Sequence, residues 1–209
     1  MAKTRITDAE LARANEKSRK RKEARDKMLA DKTVEKGLLI VHTGKGKGKS
    51  TAAFGLVARA IGNGMKIGVV QYVKGKWETG ERQVLEHFPD QVTIRTMGEG
   101  FTWETQDKAR DIAAAEAAWE VSKEMIDDPS YDLVILDELN IVLRYDYLDL
   151  EAVLDTFRKQ RGMLHIVVTG RNANPELIDA ADLVTEMTQI KHPFRDQNVR
   201  AQKGIEFYV

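Results

Sequence analysis

Leu38-Leu39-Ile40-Val41-His42 runs straight into Thr43-Gly44-Lys45-Gly46-Lys47-Gly48-Lys49-Ser50, and Lys49 opens a helical pattern that continues to Gly62. An apolar strand, a glycine-rich loop and a helix in that order give closely spaced glycines a meaning they lack elsewhere. Glycine lets the backbone turn with positive φ and approach an anion closely. The first amides of the following helix point at that anion from the favourable end of the helix dipole. In this frame Lys49 reaches terminal phosphate oxygens and the Ser50 hydroxyl is placed for Mg²⁺. The usual pattern begins with glycine where this chain has Thr43. The competing interpretation is a lysine-rich surface turn, which would explain neither the strand before nor the helix after it.

A second nucleotide signal is Leu133-Val134-Ile135-Leu136-Asp137-Glu138. Four apolar residues ending in two carboxylates describe a buried strand that delivers acids to one edge of a sheet. There Asp137 and Glu138 can hold Mg²⁺ directly or through water. Asp137 could instead cap the helix that follows.

Around these two signals the chain alternates short apolar runs with longer helical ones. Strands are predicted over 38–42, 67–73, 92–96, 133–137, 165–169 and 183–187, with the clearest helices over 49–62, 105–127 and 150–159. That rhythm predicts an α/β domain over residues 37–209, with about six mainly parallel strands and helices on both faces. Residues 1–36 differ. They carry 12 Lys and Arg against 7 Asp and Glu, while the whole chain of 209 residues balances 33 against 33. Their large apolar residues are few, and no continuous apolar stripe exists to dock a helix. This basic arm is expected to be helical only conditionally.

The chain has 42% hydrophobic residues, enough for a core of ordinary size, and it has no cysteine. Disulfides, thiolate metal sites and cysteine nucleophiles are thereby excluded. No apolar run approaches the roughly 20 residues needed to span a bilayer, and the N-terminus lacks a signal-peptide pattern. A cytoplasmic protein with neither a membrane nor a nucleic-acid partner is expected. The four histidines, His42, His87, His165 and His192, show no ligand spacing.

The runs TGKGKGKSTAAFG (43–55), GVVQYVKG (68–75), GFTWET (100–105), VILDELN (134–140), RYDYL (144–148), VVTGRN (167–172), DAADLVTEM (179–187) and KHPF (191–194) span nearly all of the body. Together they resemble the cob(I)yrinic acid a,c-diamide (cobalamin) adenosyltransferase family. The most specific are GFTWET, TGR and KHPF. Two positions depart from the family: Lys45, where relatives commonly carry asparagine, and Ser50, where threonine is usual.

The resemblance implies a P-loop, RecA-like fold and transfer of the 5′-deoxyadenosyl group of ATP to cobalt(I) of a corrinoid, releasing triphosphate. It places Gly44, Lys45, Gly46, Lys47, Gly48, Lys49, Ser50 and Thr51 on the nucleotide. Ser50, Asp137 and Glu138 fall on a Mg²⁺ or Mn²⁺ ion, and Arg171 acts as a cationic clamp after a strand. A surface salt bridge is the plainer role for Arg171, and Arg59 is a weaker nucleotide candidate. Phe101 and Trp103 would pack beneath the corrin and displace its lower axial ligand, although aromatics there could equally anchor a core. Trp77, Trp119 and Tyr145 are expected to be structural, and His192 has no assigned role. The family further implies a homodimer, a reduced flavoprotein electron donor, and an N-terminal helix covering the site. A nucleic-acid-associated ATPase or a small-molecule kinase would use the same loop.

Overall fold

The computed structural model describes residues 7–73, 80–97, 107–159 and 162–205. Six strands, β1 (Leu39–Thr43), β2 (Ile67–Gln71), β3 (Val92–Thr96), β4 (Leu133–Asp137), β5 (His165–Thr169) and β6 (Leu183–Glu186), form one sheet in the order β3-β2-β4-β5-β1-β6. Every pairing in it is parallel. Parallel strands need crossovers, and those between strands adjacent in sequence carry α2 (Lys49–Gly62), α3 (Gly80–Leu85), α4 (Lys108–Asp127), α5 (Leu139–Arg144), α6 (Leu150–Lys159) and α7 (Pro175–Ala180). A further short helix, α8 (Pro193–Gln197), follows β6.

Alternation along each strand sorts its side chains to the two faces. Ile40, Val69, Ile135 and Val167 pack with Ala53, Phe54, Val57 and Ala60 of α2 and with Leu85 of α3. Leu39, Val41, Val70, Val134, Leu136, Ile166 and Val168 point the other way, onto Trp119, Leu143, Leu154, Phe157 and Leu177. Helices thus cover both faces, which is why the central strands read as unbroken apolar runs. Trp119 meets Phe157 edge-on at 5.9 Å and is the structural aromatic that the sequence suggests.

The predicted elements need small corrections. β1 runs one residue later than expected, from Leu39 to Thr43, while β2 stops at Gln71 and β6 at Glu186. Helix α4 starts at Lys108 because Asp107 accepts the amide of Arg110 as an N-cap. Helices α3, α5, α7 and α8 have five or six residues each, too short to show a helical period. Tyr145, expected to be structural, makes its contact at the surface and not in the core. It is 37% exposed and stacks on Tyr147 at 5.7 Å.

The chain divides into two compact units, Met1–Glu35 and Lys36–Val209. In the first, α1 (Asp8–Ala30) is a 23-residue helix with no buried residue. Local chemistry supports it. Thr7 and Glu10 form a reciprocal capping box, and Glu16, Arg19, Lys20 and Glu23 pair at i, i+3 and i, i+4. In the second unit the base of the sheet is fastened by Asp182, which pairs with Lys36 and accepts the amide of Leu39 at 3.0 Å. No described helix is long and apolar enough to cross a membrane.

Candidate active site

Strand register decides what meets at the carboxyl edge of the sheet. His42 lies opposite Thr169, Thr43 opposite Glu186, and Gln71 opposite Asp137. The phosphate loop, both carboxylates and the TGR turn are therefore delivered to one edge by β1, β4 and β5.

The loop itself turns at Gly44 (φ +96°) and Gly48 (φ +107°), a region that side chains with a Cβ avoid. Thr43 stands where glycine is usual, and its side chain has a task. Its hydroxyl accepts the amide of Ala173 at 3.0 Å, tying the loop after β5 to the end of β1. The backbone after β6 buttresses the loop from the other side. Gly46 donates to Met187 O at 2.6 Å, and Met187 donates to Thr43 O at 2.9 Å.

Lys49 is buried, 6% exposed, and curls back into the loop. Its Nζ donates to Gly44 O at 2.9 Å and Gly46 O at 2.6 Å. Burial holds its ammonium below the ordinary lysine range, Glu138 opposes that shift, and Arg171 adds to it. The three side chains of the expected catalytic set thus share one electrostatic neighbourhood. Arg171 is exposed and has no ion-pair partner among the described residues, so the salt-bridge alternative finds no support there. Lys45, Lys47 and Thr51 are exposed and Ser50 half-buried, all at the loop or in the first turn of α2.

Asp137 is buried, 1% exposed. Thr169 donates to its Oδ1 at 2.8 Å and Gln71 to its Oδ2 at 3.3 Å. Glu138, not Asp137, occupies the N-cap position of α5, with φ +67° and no capping bond from its side chain. Its amide donates to Thr169 Oγ1 at 3.0 Å. Neighbouring Asn140, fully buried, donates from Nδ2 to Gly170 O at 3.1 Å.

Arg59 is not brought to the loop. It lies exposed in the last turn of α2, ten residues from Lys49, or about 15 Å along the helix axis. Phe101, Trp103 and Trp77 lie outside the described residues. His192 occupies the N-cap position of α8 and its amide donates to Asp196 Oδ2 at 2.5 Å. His42 sits against Lys49 O at 3.3 Å, and His165 accepts the amide of Leu38, so both have structural partners. Gln71, Thr169, Asn140 and Met187 belong to the site's frame but were not singled out from sequence. All four lie in runs that carry the family resemblance, Thr169 in TGR itself, but only the glutamine ending the otherwise apolar run IGVVQ stands out by its own chemistry.

Residues 35–207 match the family model described as ATP:corrinoid adenosyltransferase BtuR/CobO/CobP. The chain belongs to the corrinoid adenosyltransferase family. It is 56% identical to a corrinoid adenosyltransferase from Sinorhizobium sp., across 94% of this chain and 92% of that one. A corrinoid adenosyltransferase from Pseudomonas aeruginosa is 52% identical, across 93% and 96%. Corrinoid adenosyltransferase CobA of Salmonella typhimurium is 45% identical, across 93% and 98%. As a member of this family the chain is an ATP:corrinoid adenosyltransferase with a P-loop nucleotide-binding fold.

Proposed function

We propose that this corrinoid adenosyltransferase joins cobalt(I) of cob(I)yrinic acid a,c-diamide or cob(I)alamin to the 5′-carbon of ATP and releases inorganic triphosphate. The observation that carries this is the buried Lys49 ammonium inside the glycine loop, with the Arg171 charge close enough to perturb it. Two cations at one sheet edge suit an anion that leaves with three phosphates. The cobalt electron pair forms the Co–C bond, and the C5′–O bond breaks. Its electron pair departs on the triphosphate, where Lys49, Arg171 and the loop amides from Gly44 to Ser50 stabilise the growing charge. The nucleophile belongs to the corrinoid, and the protein supplies position and field.

The donor set fits a magnesium or manganese ion. Asp137, Glu138 and the Ser50 hydroxyl are all hard oxygen donors. A cation held by these few donors would complete its shell with phosphate and water, as Mg²⁺ prefers. Such an ion would neutralise phosphate charge. Phe101 and Trp103 are proposed to pack beneath the corrin, and α1 to cover the bound substrates from the partner subunit of a homodimer. A reduced flavoprotein is the proposed electron donor, and the cytoplasm the proposed location.

Anaerobic incubation with ATP, Mg²⁺ and chemically reduced corrinoid tests the proposal. The expected result is the adenosylcorrinoid spectrum with one triphosphate per product. Inorganic phosphate without adenosylation would instead mean an ATPase, and ADP with a phosphorylated acceptor a kinase.

A further inference from the structure

One hydroxyl group engages both acidic residues of the site, the Asp137 carboxylate and the backbone amide of Glu138. Thr169 ends β5, is fully buried, and sits beside the last residue of β4. A hydroxyl has a single hydrogen and two lone pairs. Here the hydrogen goes to Asp137 Oδ1 at 2.8 Å, and a lone pair receives the amide of Glu138 at 3.0 Å. The first bond fixes the rotation of the Asp137 carboxylate about its side chain. The second fixes the peptide that carries Glu138 into its left-handed conformation, φ +67°, which residues with a Cβ seldom adopt unless the surroundings impose it. Glu138 then stands against the turn after β5: a Cβ built on Gly170 would lie 3.1 Å from Glu138 Oε2 and 2.8 Å from Asn140 Cβ.

The clasp has support on both sides. Gln71 donates to the remaining oxygen of Asp137, Oδ2, at 3.3 Å, and its own Oε1 accepts the Thr96 hydroxyl at 3.1 Å. Asn140 donates to Gly170 O at 3.1 Å, which holds the turn that presents Arg171. Neutral donors on two neighbouring strands thus orient a buried acid, and the same hydroxyl sets the backbone of the next one.

We propose that Thr169 is a positioning residue for adenosyl transfer, setting the geometry with which Asp137 and Glu138 meet a nucleotide-bound divalent cation. This rests on the proposed role of those carboxylates. Thr169 is fully buried, with its hydroxyl taken up by Asp137 and the amide of Glu138. It acts on the metal-side acids from behind, and outer partners of this kind typically change metal affinity or activity by 10–100-fold.

The test uses Mn²⁺ as the probe, titrated into the full chain with ATP present and corrinoid absent, so that no turnover occurs. Free Mn²⁺ is read by electron paramagnetic resonance against the same titration of ATP without protein, so that only Mn²⁺ bound beyond chelation by ATP itself is counted. Thr169→Val keeps the side-chain size and loses both hydrogen bonds. It is expected to weaken Mn²⁺ binding about 10–100-fold and to lower kcat while leaving the corrinoid KM unchanged. Thr169→Ser keeps the hydroxyl and should restore both readouts to within about threefold of wild type, since the same bonds can form. Thr169→Ala removes the same bonds with less bulk and carries the same expectation if circular dichroism shows the valine variant unfolded. Mn²⁺ affinity within twofold of wild type in the valine or alanine variant would overturn the proposal. So would a serine variant as impaired as valine, which would assign the role to packing of the methyl group. Wild-type protein that binds no Mn²⁺ with ATP would instead sink the carboxylate assignment itself.

Discussion

Replacing Gly46 by alanine measures how strongly the phosphate loop depends on the backbone that buttresses it. A Cβ at this position would stand 2.7 Å from Met187 O and 2.9 Å from both Met187 C and Thr188 C. All three are backbone atoms, so no side chain can rotate away to make room. The amide of Gly46 meanwhile donates to that same Met187 oxygen at 2.6 Å. The loop must lift, losing a hydrogen bond of about 0.5–1.5 kcal/mol, or stay and accept overpacking of about 1–3 kcal/mol. In the free protein it can lift and relax. In the nucleotide complex its amides must converge on the phosphates again, so most of the cost falls on binding. The difference between the two states, about 1–2 kcal/mol, corresponds to roughly 5–30-fold in the Kd for ATP. Isothermal titration with ATP and Mg²⁺ in the absence of corrinoid reads this directly. Gly55→Ala is the control: it lies in α2 with nothing within 4 Å of its added Cβ. It should leave the Kd unchanged and stabilise the fold by about 0.5–1 kcal/mol. A Gly46→Ala protein that binds ATP within threefold of wild type would show that the segment after β6 does not shape the loop.

Lys49→Ala should abolish turnover, and wild-type ATP affinity should fall as pH rises through the alkaline range. Burial lowers the Lys49 pKa in the free protein while a bound triphosphate favours the ammonium, so binding takes up a proton there. Affinity that stays flat to the ordinary lysine range near about 10.4 would contradict this. Deleting residues 1–30 removes a helix with no buried residue, so calorimetry should find the unliganded melting temperature shifted by under about 2 °C. The corrinoid KM should rise in the same protein, and unaltered corrinoid kinetics would rule out a covering role for the arm. Trp103→Ala should impair adenosylation starting from cobalt(II) more than from pre-reduced cobalt(I), as stopped spectral assays of the two routes can compare. Equal losses would point to packing.

The sequence by itself determined the layers and the family to which the chain belongs. Runs such as Leu133–Asp137 and His165–Thr169 are apolar because both sheet faces are covered, and that burial is written into composition. Helices α2 and α6 keep the predicted bounds because each is long enough to show its period. The glycine loop was legible because its conformation restricts residue type at Gly44 and Gly48. Arg59 shows what the helical pattern alone leaves open: it shares α2 with Lys49, yet ten residues of rise separate the two. Only the tertiary structure decided which polar groups face one another. That Thr169 holds Asp137 and the amide of Glu138, that Gln71 faces the same acid, and that Met187 buttresses Gly46 depend on strand order β2-β4-β5-β1-β6 and its register. Partners 31 to 141 positions apart leave no local periodicity, because a hydrogen bond constrains distance in space and not spacing along the chain.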